Sequence, residues 1–327
     1  MPRRLTGFTP SGNLHLGNFL GAMRPIIAEQ STTDSVVFIS DLHALTLRHD
    51  PVEVRERTLE FATLLLAAGV DPDACLFMVQ SHVAEHTELH YLLECVTGYG
   101  EAQRMIQFKE KAGRQQQVRT SLLTYPILMA ADILLYDADE VPVGADQRQH
   151  VELARELASR FNAHYGPTFV MPRAVNPTVA SRIMDLSSPS QKMSKSSSTA
   201  TGALRLLDEP DILRRKVMRA VTDGGSTVVY DPEHAPGLAN LLDILAGCTG
   251  TQPPQQLAAQ FTGYAQLKHA VAEAVVDTLT PIRNRYLRLA AEPDHVHAVL
   301  RAGAKRAREH ASAKLEQAKA AIGLLPT

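Results

Sequence analysis

Along roughly the first half of the chain, short apolar runs alternate with longer stretches of helical period. "RLTGF", "SVVFISD", "CLFMVQS" and "EVPVG" read as strands, and each is followed by a segment of helix-like pattern. That βαβ alternation predicts a parallel sheet covered by helices, an α/β fold. The clearest helix follows Asp50, which stands as N-cap with Pro51 at the first helical position and Glu53 at the third. It runs through "LEFATLLLAAG" to a stop at Gly69. From about Val170 to Thr201 the composition turns to Pro, Ser, Thr, Asn and Gly, which predicts long loops. Beyond them no strand series recurs, and the remainder is helical in pattern. The expected organisation is an α/β domain over residues 1–185 and a loop plus helical region over 186–327, whose last helix packs back on the first domain.

Composition narrows the class of protein. A chain of 327 residues, 45% hydrophobic and 21% charged, suits a globular protein of two domains. Cys75, Cys95 and Cys248 lie far apart with no C-x-x-C pair. This argues for a reducing compartment, the cytoplasm, and against a disulfide frame, a zinc site or an iron–sulfur cluster. No apolar export segment opens the sequence, and no run approaches the ~18 apolar residues of a membrane span. With a net charge of −2 and a pI near 6.7, a DNA-coating role is not expected, and an RNA partner would be met by local basic patches.

Two segments invite chemistry. "TPSGNLHLGN" (Thr9, Pro10, Ser11, then His15, Gly17 and Asn18) forms a glycine-bearing turn that opens a helix. Such a turn lets backbone approach a phosphate and offers it unpaired N–H donors, although an ordinary βα turn with a surface histidine explains it equally well. "KMSKS" (Lys192, Met193, Ser194, Lys195, Ser196) offers two mobile ammonium groups to developing pyrophosphate charge, or is a solvated lysine–serine loop.

A third segment, "YPILMAADILLYDADEVPVGADQRQHVELARE", carries an acid in an apolar wall. On a helix Tyr125, Met129, Asp132 and Tyr136 share one stripe. An unpartnered carboxylate there would be costly. It either pairs with a backbone N–H or an arginine as a structural buried acid, or accepts from a ligand donor such as an indole N–H, with Met129 against the aromatic face. Gly144, Ala145 and Asp146 follow a strand end, where open parallel sheets bind ligands; alternatively Asp146 simply caps a helix. His43 taken alone ranks as a satisfied core or loop histidine.

Two basic clusters complete the inventory. Arg214, Arg215, Lys216 and Arg219 form one, and Arg283, Arg285, Arg288, Arg301, Lys305, Arg306 and Arg308 the other. A solvated helix face is the default reading of each.

The early turn and the late lysine loop together resemble the HIGH and KMSKS signatures of class I aminoacyl-tRNA synthetases. The stretch from Tyr125 to Glu156 resembles that of bacterial tryptophanyl-tRNA synthetases, as do "FKEK" (Phe108 to Lys111) and "AVTDGGSTVVYDPEHAPGLANLLDIL" from Ala220, so the resemblance covers Thr6 to Gly323. It implies a Rossmann-type catalytic domain with a helical C-terminal domain, ATP as substrate with Mg²⁺, no resident metal, and tRNA(Trp) and L-tryptophan as partners. A homodimer with tRNA spanning both subunits is implied as well. Lys111, Lys192 and Lys195 would stabilise the leaving pyrophosphate, with Thr9, Pro10, Ser11, His15, Gly17 and Asn18 around the ATP. Gly144, Ala145 and Asp146 would meet the ribose and Ile183 with Met193 the adenine, Ser194 and Ser196 completing the loop. Asp132 would accept from the indole, Gln147 would reach the α-amino group, and Tyr125, Met129, His43, Val141, Val143 and Leu5 would line the pocket. Such an acceptor penalises phenylalanine by about 10⁴ to 10⁵, so no editing domain is required. The basic clusters are where tRNA phosphates would be met.

Relatives usually carry glutamine where this chain has Thr9, a bulkier residue at Leu5, and often an acid after KMSKS where Ser197 and Ser198 stand here. A tyrosyl-tRNA synthetase, a small adenylyltransferase and a non-catalytic tryptophan- or RNA-binding paralogue are the competing readings.

Overall fold

Five parallel strands lie in the order β3-β2-β1-β4-β5, with β1 Arg3–Phe8, β2 Asp34–Ile39, β3 Leu76–Val79, β4 Glu140–Pro142 and β5 Arg173–Val175. The computed structural model describes residues 2–106, 118–176, 183–194, 201–225 and 227–325. The four apolar runs form β1 to β4 as expected. β5 corrects the expectation of continuous loop after Val170: three residues are too short for a periodic signal, and pairing with β4 rather than local pattern makes them a strand.

Strand side chains alternate between two cores, as the period of two requires. Leu5, Val36, Phe38, Leu76 and Met78 enter one cluster, while Phe8, Val37, Ile39, Phe77 and Val79 enter the other. Burial on both faces explains why these strands read as apolar runs. From β1 to β2 the chain passes through α1 (Leu16–Asn18), a π-helical segment Phe19–Met23 and α2 (Arg24–Glu29). From β2 to β3 it passes through α3 (Asp41–Ala44) and α4 (Pro51–Ala68). The Asp50 carboxylate accepts from the N–H groups of Val52 and Glu53, and Gly69 closes α4 at φ 118°, so the expected caps form.

The connection from β3 to β4 runs through α5 (Glu85–Glu94), α6 (Tyr99–Arg104) and α7 (Thr120–Leu135), and α8 (Arg148–Tyr165) leads to β5. Apolar side chains of α4 join the Phe8 core, whereas those of α5, α7 and α8 join the Leu5 core. The direction of winding reverses between β1 and β4, which makes the carboxyl ends of those strands a natural crevice.

After α9 (Pro210–Met218), α10 (Pro236–Thr249) and α11 (Pro254–Ala258) come two long helices, α12 (Tyr264–Ala290) and α13 (Pro293–Ala321). Buried residues of α9 to α12 continue the Phe8 core, and α13 crosses back against β3 and α5. Gly303 permits that crossing, because a Cβ there would lie 1.7 Å from the Phe77 carbonyl oxygen. In an exposed helix Gly→Ala is favourable by up to about 1 kcal/mol. Here backbone meets backbone, and Gly303→Ala should instead destabilise by about 2 kcal/mol or more. A lowered thermal midpoint checks this; an unchanged or raised one would mean that the helix does not dock there.

Several basic side chains tie the helical region down, which corrects the default reading of a solvated face. Lys216 pairs with Asp208 at 2.7 Å and donates to the Ala203 carbonyl. Arg285, Arg306 and Arg308 donate to the carbonyls of Ala67, Pro72 and His82. Arg214 pairs with Glu273, and Arg283 with Glu209. Arg219, Arg288, Arg301 and Lys305 are exposed. Among the described residues no helix is long and apolar enough to cross a membrane.

Candidate active site

Polar residues collect where the strands end. Immediately after β1, Thr9 places its hydroxyl oxygen 3.0 Å from that of Ser40, at the end of β2. The turn then reaches the buried His15, which is the N-cap of α1 and donates its N–H to the Asn18 side chain at 3.1 Å. A Cβ on Gly17 would lie 3.1 Å from the His15 ring and 3.5 Å from Cβ of Ile183. Glycine here allows imidazole and Ile183 to close over the turn.

The early turn is stitched by backbone hydrogen bonds to the segment that follows the lysine loop. Leu16 N–H donates to the Leu204 carbonyl at 2.8 Å, and Leu206 N–H to Leu14 at 3.0 Å, flanking a bridge between His15 and Arg205. Met193 N–H donates to Ile183 at 3.1 Å beside a second bridge, Met184 to Lys192. Ile183 and Met193 are both buried in the core that holds Leu16. The structure thereby brings Gly17, Ile183, Lys192 and Met193 to one place. Pro10 and Ser11 lie in the turn, and Ser194 follows Met193. Lys111, Lys195 and Ser196, like Phe108 and the departures at Ser197 and Ser198, lie outside the described residues.

Asp185 is a residue that sequence reasoning missed. Its buried carboxylate accepts from the N–H groups of Ser187 and Ser188 at 2.8 and 3.0 Å, and Cβ-less Gly202 packs against it. It orders the stem leading into the lysine loop. The run "DLSS" carries that Asx-turn signal.

Asp132 lies on α7 at 1% exposure, with a partner set different from the backbone N–H or arginine expected of a structural acid. Its Oδ1 accepts from Gln80 Nε2 at 2.7 Å and lies 2.7 Å from His86 Nδ1, while Oδ2 lies 2.8 Å from His43 Nε2. Gln80 follows β3, His43 is on α3 and His86 on α5, so the β2–β3 and β3–β4 connections converge on one carboxylate. Burial alone would raise its pKa; hydrogen bonds from His43 and His86, together with their positive potential, overcome that and hold it down at about 2. Tyr136, the C-cap of α7 rather than part of its body, places its hydroxyl 2.9 Å from His86 Nε2.

Of the residues expected in the pocket, His43 meets this acid directly and Tyr125 stands beside His43. The Tyr125 ring stands edge-on to His43 with centroids 6.2 Å apart, and its hydroxyl lies 2.9 Å from Nε2 of the buried His150. Burial and the negative charge of Asp146 push the Tyr125 phenol up to about 12. Leu5 and Val141 are buried in the same core, with Met129 and Val143 packed against it. Gly144 caps a 3-10 turn, Ala145–Gln147, that leads into α8. Asp146 accepts from the Gln147 amide at 3.0 Å and does not cap the helix as one reading proposed. Gln80, His86 and His150 escaped the sequence reading. Of these only Gln80, a polar residue at the carboxyl end of a parallel strand, carried a usable signal.

This architecture matches known proteins throughout. Residues 2–280 match the family described as tRNA synthetases class I (W and Y). The chain is 56% identical to a tryptophan–tRNA ligase 1 of Streptomyces coelicolor, over 100% of this chain and 98% of that one. A tryptophanyl-tRNA synthetase structure from Mycoplasma pneumoniae superposes with a TM-score of 0.88 at 36% identity, covering 99% of this chain and 98% of the other. Another from Campylobacter jejuni, complexed with ADP and tryptophan, gives 0.86 at 31% identity, with 98% and 100% coverage.

Proposed function

This chain belongs to the class I tRNA synthetases of the tryptophan and tyrosine type, and from that membership we infer that it joins L-tryptophan to tRNA(Trp) at the expense of ATP. In the first step a carboxylate oxygen of tryptophan attacks the α-phosphorus of Mg·ATP. The bond to the β-phosphate oxygen breaks, and pyrophosphate leaves with its electron pair. In the second, a 3′-terminal hydroxyl of the tRNA attacks the carbonyl carbon of the adenylate and AMP departs. No side chain need act as nucleophile or base, because the attacking carboxylate is already ionised. Catalysis is positioning and charge stabilisation.

What carries tryptophan over tyrosine is the likeness to tryptophan–tRNA ligases, one of them 56% identical over the whole chain; Asp132, a buried anion, would be the acceptor for the indole N–H. Tyr125, Met129, His43, Val141, Val143 and Leu5 would line that pocket, with Gln147 at the α-amino end. The nucleotide would lie across the β1–β4 crevice. There the turn at Thr9, Pro10, Ser11, His15, Gly17 and Asn18 would face its phosphates, Gly144 to Asp146 its ribose, and Ile183 and Met193 its base. Lys111, Lys192 and Lys195 would follow the pyrophosphate. In this scheme residues 1–185 form the catalytic domain and residues 186–327 the lysine loop and tRNA-binding region, working in the cytoplasm. ATP–pyrophosphate exchange with each of the twenty amino acids, followed by tRNA charging, is the test. Exchange should depend on tryptophan; dependence on tyrosine, or none, would refute the reading.

A homodimer belongs to the same proposal. Tyr91 on α5, Tyr99 on α6 and Ile106 just after it are 65%, 69% and 58% exposed, and a partner of the same chain would cover them. The chain should sediment at twice its 35.7 kDa, and the paired change Tyr91→Glu with Tyr99→Glu should halve that mass. A parent protein that sediments as a monomer would contradict the assembly.

A further inference from the structure

A carboxylate offers about four acceptor sites. In Asp132 the two oxygens are treated unequally. Oδ1 meets Gln80 and His86, both wholly buried, whereas among the described residues Oδ2 meets only His43, whose side chain keeps 14% exposure.

The two donors on Oδ1 are themselves fixed. The Gln80 carbonyl oxygen accepts from Leu42 N–H at 3.1 Å, so turning the amide over would set its oxygen against the carboxylate and its NH₂ group against another N–H. A His86 ring that donates from Nδ1 offers Nε2 to the Tyr136 hydroxyl at 2.9 Å, a shorter contact and a stronger acceptor than Met78 Sδ at 3.4 Å. Burial holds that phenol protonated, which keeps it a donor.

We propose that Gln80 and His86 are positioning residues of the amino-acid pocket: by saturating Oδ1 they present Oδ2, beside His43, as the one oxygen with which Asp132 receives the indole N–H. This rests on the tryptophan reading above and goes beyond it, because selectivity then belongs to a clamped acid rather than to a carboxylate alone. The terminal torsion of an aspartate is broad and nearly two-fold. An unclamped Asp132 would sample orientations that misdirect the acceptor, and binding would have to order it. Leu42 and His43 are neighbours on α3, so the backbone N–H that fixes Gln80 also places the imidazole that shares Oδ2.

The chain contains no tryptophan, so fluorescence of the bound substrate, excited at the red edge where tyrosine does not absorb, can be followed without tryptophan background from the protein. Gln80→Met and His86→Leu remove one donor each at similar volume, and His86→Asn restores an N–H close to the lost Nδ1. The expected result is a tryptophan Kd raised about 10- to 100-fold in the first two, with KM for ATP within about twofold of the parent. The tryptophan-to-phenylalanine exchange ratio should fall, and His86→Asn should recover most of the loss. A purely structural network would instead lower the melting midpoint and weaken ATP and tryptophan together.

That parallel loss, an unchanged Kd, or the absence of rescue would overturn the inference while the parent enzyme still exchanges with tryptophan. A parent that shows no tryptophan-dependent exchange would overturn the functional reading and this inference together. Should His86→Leu yield no folded protein, Gln80→Met decides by the same outcomes.

Discussion

Lys195→Ala should slow tryptophan-dependent pyrophosphate exchange by about 10²- to 10³-fold while leaving the tryptophan Kd within about twofold of the parent. The partner charge of this ammonium, on the departing pyrophosphate, grows chiefly in the transition state, so its removal affects the rate rather than ground-state binding. The loop that carries it leaves a fixed base: Met193 is buried and its N–H is held by the Ile183 carbonyl, and Lys192 bridges Met184. Single-turnover adenylation measures the rate and substrate fluorescence the affinity. An unchanged rate, or an equal loss in both, would rule out the assigned role.

Asp132→Asn should reduce kcat/KM for tryptophan by about 10²- to 10³-fold and narrow the margin over phenylalanine. An amide would turn an NH₂ group either toward Gln80 and His86 or toward His43, setting donor against donor in a buried cluster. At the same time it would lose the charge that strengthens the contact with an indole. Because the folded pKa of Asp132 is depressed to about 2 from an ordinary 3.8, its stabilising contribution is present above about pH 4. It is lost as pH falls through about 2. Acid unfolding of Asp132→Asn should therefore depend less steeply on pH in that window. A parent enzyme that activates phenylalanine as well as tryptophan would defeat the selectivity argument before any variant is made.

The family and the order of elements were legible in the chain. The apolar runs became β1 to β4, Asp50 and Gly69 capped α4, and the strand-to-helix turn at His15 formed where its glycines placed it. What the pattern concealed depends on partners distant in sequence. β5 is a strand only because β4 lies beside it, and Arg306 and Arg308, which read as solvated charges, are tethers to backbone far upstream.

Asp132 shows the division most clearly. Its place in an apolar stripe marked it as an acceptor in need of a donor, since an unpaired buried carboxylate is costly wherever it occurs. Which donors would answer was a matter of geometry: Gln80 and His86 reach it from the start of its own β3–β4 connection and His43 from the β2–β3 connection, across 52, 46 and 89 residues of chain. Local sequence thus determined periodicity, capping and the chemical demand at each site, because those act over a few residues. Tertiary structure alone decided how that demand is met, because only the folded sheet brings the segments that follow β2 and β3 to the same carboxyl end as α7.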